Sequence, residues 1–141
     1  MTYDTEDNLN NRVDAEFISE KKTESIFGTT MARAAVVQSI YESEVTKNYD
    51  SQNIKNLNFY KSLNSSKKKM ALSLFDYSIN NKIKIDKKIM EHIKDNNIKR
   101  IPKTDLSILR MAVSELSTNV ETPVGVVVNE AVKLGNVFGS D

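Results

Sequence analysis

The stretch "TPVGVVVNEAVKLGNVFGSD", residues 122–141, decides the fold class. As a strand, Val124, Val126 and Val128 alternate, but only over five residues. As a helix, Thr122 is a cap and Pro123 sits at the first helical position, where a missing N–H costs nothing. Val124, Val127, Val128, Ala131, Leu134 and Phe138 then fall along one side at helical spacing, and Gly139 follows as a stop. The helix accounts for both ends of the stretch and the strand for neither. Gly125 and Gly135, each costing about 1 kcal/mol relative to Ala, do not overturn that.

The same test applied upstream yields four more helices. "TTMARAAVVQSIYESEVTK" begins at Thr29 or Thr30 as a cap, with Val36, Val37, Ile40 and Tyr41 inward and Glu42 and Glu44 outward. "SSKKKMALSLFDYSINNK" carries a Leu72, Phe75, Ile79 stripe. "IDKKIMEHIKDNN" has Asp86 as a cap and buries Ile89 and Ile93. "RIPKTDLSILRMAVSELSTN" is capped by Thr104, with Asp105 in the first turn and Leu106, Leu109, Val113 and Leu116 repeating at 3, 4 and 3. Turn formers with scattered apolar residues fill 48–66, read as a loop holding at most a short helix. With no convincing strand, the expected class is all-α.

The 141 residues suffice for one domain with a real core, 39% hydrophobic and 28% charged. Residues 1–28 hold seven acids and three bases and read as an acidic, disordered tail ahead of a helical domain over 29–141. No apolar run approaches the roughly 20 residues that span a bilayer, and the acidic start is not a secretory signal. Cysteine is absent, which excludes disulfides, thiol chemistry and cysteine-ligated metals and suits a cytoplasmic protein.

Catalytic signatures are absent too. There is no glycine-rich phosphate loop, no paired histidines and no nucleophile beside a base. His92 stands alone and reads as a surface residue rather than a metal ligand. Asp105, Glu115 and Glu130 are unpaired acids on helices. The residue content therefore argues for a binding module rather than an enzyme. Residues 61–103 contain twelve bases against four acids. Such a segment attracts phosphate, although eleven of the bases are lysines, which act as point charges, and composition favours a solvated surface.

In order, "ARAAVVQSIY" (32–41), "INNKIKID" (79–86), "DLSILRMAVSEL" (105–116) and "TPVGVVVNEAVKLGNVFG" (122–139) resemble the motifs of the NusB family of bacterial transcription antitermination factors. The last two are the specific ones, and the resemblance covers residues 30–141. It implies an all-helical protein of two packed subdomains that binds boxA RNA of ribosomal RNA operons. It further implies a small-subunit ribosomal protein as partner, and action with other Nus factors on the RNA polymerase elongation complex. Arg33, Tyr41 and Asp105 match family positions associated with RNA or partner binding; Arg33 could equally hold an internal carboxylate. Arg110, Glu115 and Asn129 match positions read as internal polar bonds. Lys21, Lys22 and Lys67 to Lys69 align with no family motif. Only Arg33 remains of the family's arginine-rich start to the first helix. The family continues past Phe-Gly with another helix where this sequence ends at Asp141, so apolar surface over 106–116 and 124–138 is expected to be uncovered. The alternative function is a helical interaction module that has lost RNA binding. An RNA methyltransferase, which in some cases carries such a domain, would need cysteines and a cofactor domain.

Overall fold

The computed structural model describes residues 21–119 and 121–138, with side chains from Gly28 onward. The described residues are helical, without strands: α1 (Lys21–Thr46), α2 (Asn58–Lys61), α3 (Ser65–Asn80), α4 (Lys82–Met90), α5 (Lys103–Thr118) and α6 (Val124–Phe138). Short 3-10 turns occupy Ser51–Asn56, Lys94–Asn96 and Ile98–Arg100.

α1 is the central element. Every residue from Thr30 to Ile40 is buried, because α3 and α5 pack on it and α2 and the Ser51–Asn56 turn cover what remains. The composition allows this: Ala32, Ala34 and Ala35 are small enough for neighbours to approach closely, while Met31, Val36, Val37 and Ile40 fill the space between them. α1 also starts earlier than expected. Residues 21–28 already belong to it, and the expected caps Thr29 and Thr30 lie inside the helix. Gly28 is tolerated there, and Thr30 donates instead to the carboxylate of Glu130, 2.9 Å away on α6. The rest of the expected tail, residues 1–20, lies outside the described residues.

Two hydrophobic cores of unequal size result. The large one joins α1, α3, α5 and α6 with Ile54, Phe59, Tyr60 and Leu63 from the connecting segment. That segment was expected to be little more than a loop, yet its scattered apolar residues point inward, and Phe59 meets Phe138 edge to face at 6.3 Å. The small core gathers Ile85 and Ile89 of α4 with Leu106 of α5, flanked by Tyr77, Ile93, Ile98, Ile101 and Val113. α5 runs through both and ties them together.

Three further helix starts, those of α4, α5 and α6, depart from expectation. Asp86 does not cap α4, which begins at Lys82 after Asn81, and lies mid-helix. α5 begins at Lys103 after Pro102, with no side-chain cap from Thr104, although Asp105 does occupy the first turn. α6 begins at Val124, and the Pro123 carbonyl accepts the first helical bonds from Val126 and Val127. α3 is capped by Asn64, whose side chain accepts from the Lys67 N–H, with the serine pair just inside. Its buried face is Ala71, Leu74, Phe75 and Ser78, shifted from the expected stripe because Ser78 and Ser114 meet at 2.7 Å and bring α3 and α5 close. On α6, Val127, Glu130 and Leu134 are buried, but Val124 and Val128 are exposed. Val126 and Val132 of α6 and Leu109 and Leu116 of α5 are exposed as well.

Candidate functional site

Two buried arginine clusters organise the polar interior. Arg33 on α1, 3% exposed, turns its guanidinium onto Glu115 of α5, with Nε at 2.8 Å from Oε1 and Nη2 at 2.6 Å from Oε2. Its Nη1 reaches Glu130 of α6 at 3.4 Å, and Glu130 also accepts from Thr30 and pairs with Lys133. The fork geometry matches a carboxylate with two parallel bonds. Burial opposes the charged guanidinium, but Glu115 first and Glu130 second outweigh it and hold Arg33 above its ordinary value. Of the two roles open to Arg33, the structure shows the internal one, with its guanidinium on Glu115 and Glu130.

Arg110 on α5 forms the second cluster. Its Nε and Nη2 lie 2.7 and 2.8 Å from the two oxygens of Asp86 on α4, and Nη1 lies 2.8 Å from Glu44 at the end of α1. Glu44 therefore points at Arg110 rather than outward. It sits where Lys47, also bonded to it, and Arg110 both favour its charge, so its carboxyl is lowered to about 2 against opposing burial. Asp86 is drawn inward by the same arginine, the physical reason it does not cap. Glu44, Asp86 and Glu130 are the partners that sequence reading missed. For Glu130 there was a signal, its position between Val127 and Leu134 on the buried stripe of α6.

The remaining candidates are dispersed. Tyr41 and Asp105 are half-buried, on α1 and at the start of α5. Asn129 is exposed and takes no part in the internal network for which it was a candidate; Glu130, its neighbour, does. His92 is exposed and its ring Nδ1 lies 2.9 Å from the Lys88 carbonyl. Among the described residues no group of His, Asp and Glu could hold a metal, and no helix is long and apolar enough to cross a membrane.

Among the described residues, two open clefts bear on a binding role. One of about 530 Å³ lies between the C-terminal ends of α3 and α5, lined by Leu74, Tyr77, Asn81 and Asn119 among others. The other, about 700 Å³, lies at the α3–α4 joint, where Tyr49, Ile83, Lys84 and Lys87 line it. Lysines crowd that side: residues 82–103 hold eight bases and three acids.

The fold and its polar interior thus define a small all-helical module, two cores held in register by arginine–carboxylate clusters, with a lysine-rich exterior. Comparison with known proteins agrees in class and extent. The NusB family model matches residues 30–141. The chain is 29% identical over 111 residues to the transcription antitermination protein NusB of Alkaliphilus oremlandii, covering 79% of this chain and 80% of that one. It is 32% identical to the Finegoldia magna protein of the same name over 114 residues, 78% and 80% of the two chains. With that of Histophilus somni it shares 30% over 125 residues, 86% and 85%. No solved structure matches the chain significantly. The chain belongs to the NusB family.

Proposed function

We propose that this chain is a non-enzymatic transcription antitermination factor of the cytoplasm. In this reading it binds boxA RNA of ribosomal RNA operons together with a small-subunit ribosomal protein. It then acts with other Nus factors on the RNA polymerase elongation complex. The observation that carries the reading is the family match over residues 30–141, shared with relatives named as transcription antitermination proteins. The lysine-rich exterior supports it, since phosphate contacts dominate such binding.

Within this reading Tyr41 and Asp105 are proposed surface contacts for RNA or partner, and Arg33 acts indirectly, by holding α1, α5 and α6 together. The rival function, an interaction module without RNA binding, draws on the burial of Arg33 and Arg110, which removes two of the four arginines from the surface. The deciding experiment titrates a labelled boxA RNA with this protein, with and without the ribosomal protein, at two salt concentrations. Salt-sensitive binding, tightened by the partner, is the expected result. A folded protein that binds neither alone nor with the partner would falsify the antitermination reading.

A further inference from the structure

Resting on the reading that the chain binds RNA, we propose that the groove at the α3–α4 joint is a contact site for single-stranded RNA. One base lies against Tyr49 and Ile83, and the flanking phosphates lie on Lys84 and Lys87.

Three independent features meet there. The first is an apolar ledge: Ile83 is 86% exposed, the most exposed large apolar side chain among the described residues, and Tyr49 beside it is more than a third exposed. A single exposed isoleucine is unremarkable, but here it lines a groove of about 700 Å³ together with an aromatic ring, within the range of clefts that take small organic groups. The second is charge. Lys84 and Lys87 are exposed, three residues apart on α4, and neither forms an ion pair among the described residues. Lys82 is different: its Nζ lies 3.6 Å from Asp86 and 5.8 Å from the centre of the Tyr49 ring, so it positions the ring. Asp86 and Glu44, which contact Lys82 and the Tyr49 hydroxyl at this corner, are both held by Arg110, and Glu91, one turn beyond Lys87, is the remaining acid at the end of α4. The third is hydrogen-bonding capacity. Asn80 and Asn81 line the groove, and the Asn81 side chain donates to the Tyr77 carbonyl, keeping its own oxygen free to accept from a base edge. An aromatic and apolar platform beside unpaired cations is the arrangement that holds unstacked bases.

The other lysine cluster fits less well. Lys67 and Lys68 are half-buried, and the Lys68 ammonium sits 5.8 Å from the Tyr60 ring centre. The test therefore compares equal charge reversals at two places. A double change Lys84→Glu and Lys87→Glu in the groove is set against Lys61→Glu and Lys69→Glu, both exposed and away from it. Ile83→Ser removes the ledge without altering charge. All are titrated against a fluorescent single-stranded boxA oligonucleotide at several salt concentrations, with circular dichroism to show unchanged helix content.

The groove reversal is expected to weaken binding about tenfold or more and to lower the salt slope by about 1.4, the contribution of two single-strand phosphate contacts. Ile83→Ser is expected to weaken binding several-fold with the slope unchanged, and the control pair much less than the groove pair. Equal losses from both reversals would mean diffuse attraction and overturn the site. So would wild-type affinity in the groove variants, while RNA binding itself stood. If the wild-type protein binds no RNA, with or without its ribosomal partner, the site and the antitermination reading fall together. A groove that holds an acidic peptide but not RNA would overturn the site as well.

Discussion

Removing the Arg33 side chain should cost stability, not ligand binding directly. In Arg33→Ala, Glu115 loses both of its short bonds, at 2.6 and 2.8 Å, while only 1% exposed. It is left as a buried carboxylate without a cation, a situation that costs about 3–5 kcal/mol. Glu130 fares better, because it keeps Thr30 at 2.9 Å and Lys133 at 3.6 Å and is nearer to water. Most of the cost therefore arises at Glu115. For a domain of this size, about 1 kcal/mol corresponds to roughly 3–5 °C, so the melting temperature should fall by about 10–25 °C.

A double-mutant cycle sharpens the test. Arg33→Ala combined with Glu115→Ala should cost less than the two single changes added, with a coupling of about 1.5–3 kcal/mol. Glu130→Ala alone should cost only about 1–2 kcal/mol, since Arg33 keeps its fork on Glu115. Urea unfolding followed by far-ultraviolet circular dichroism reads all four variants. Loss of less than 1 kcal/mol in Arg33→Ala, accompanied by lost RNA binding, would refute the internal assignment and return Arg33 to the surface.

Three other outcomes follow from the same geometry. Arg110→Ala should lower stability by about 2–3 kcal/mol, somewhat less than Arg33→Ala because Asp86 and Glu44 can regain water; chemical unfolding measures it. Phe59→Ala should cost about 3–5 kcal/mol, despite lying in the connecting segment, because the ring is fully buried against Phe138; a change near zero in thermal unfolding would place that segment outside the core. Glu44 has a folded-state value lowered to about 2 from 4.5. Its contribution is therefore present above about pH 4.5 and fades as pH falls through about 2. The stability gap between wild type and Glu44→Gln should narrow over that window, and a gap constant with pH would refute the contact.

The helical class was readable because apolar periodicity is a local signal. Val127, Ala131 and Leu134 on α6, or Leu106 and Ile108 on α5, keep their inward positions whatever the neighbouring helices do. The departures arose where a distant partner outbid a local preference. Thr30 is a good cap by type, but Glu130 lies a hundred positions away in the chain and engages its hydroxyl in mid-helix. Asp86 and Glu44 looked like a cap and a surface acid until Arg110 drew both inward. Phe59 and Ile54 lacked any period because a 3-10 turn and one turn of helix are too short to show one. On α6, Val124 and Val128 carry the right spacing, yet α1 and α5 cover only the side bearing Val127, Glu130 and Leu134.

The placement of arginine has a consequence for recognition. The chain has four arginines and sixteen lysines. Arg33 and Arg110 are spent inside, where a planar fork on two carboxylate oxygens locks α1 to α5, α4 and α6 in one register. Arg100 is exposed and faces Asp95 at 3.4 Å. Apart from Arg100, the cations on the described surface are therefore lysine ammonium groups, which attract charge without the bidentate geometry that arginine offers. Binding built that way owes its strength to counterion release and weakens steeply with salt, by about 0.7 in logarithmic slope for each single-strand phosphate neutralised. Within the proposed RNA-binding reading, discrimination between sequences rests on groups placed to meet bases rather than phosphates, such as Tyr49, Ile83, Asn80 and Asn81. Two arginines thus serve the fold in this chain, and in the proposed reading lysine with its apolar neighbours meets the RNA.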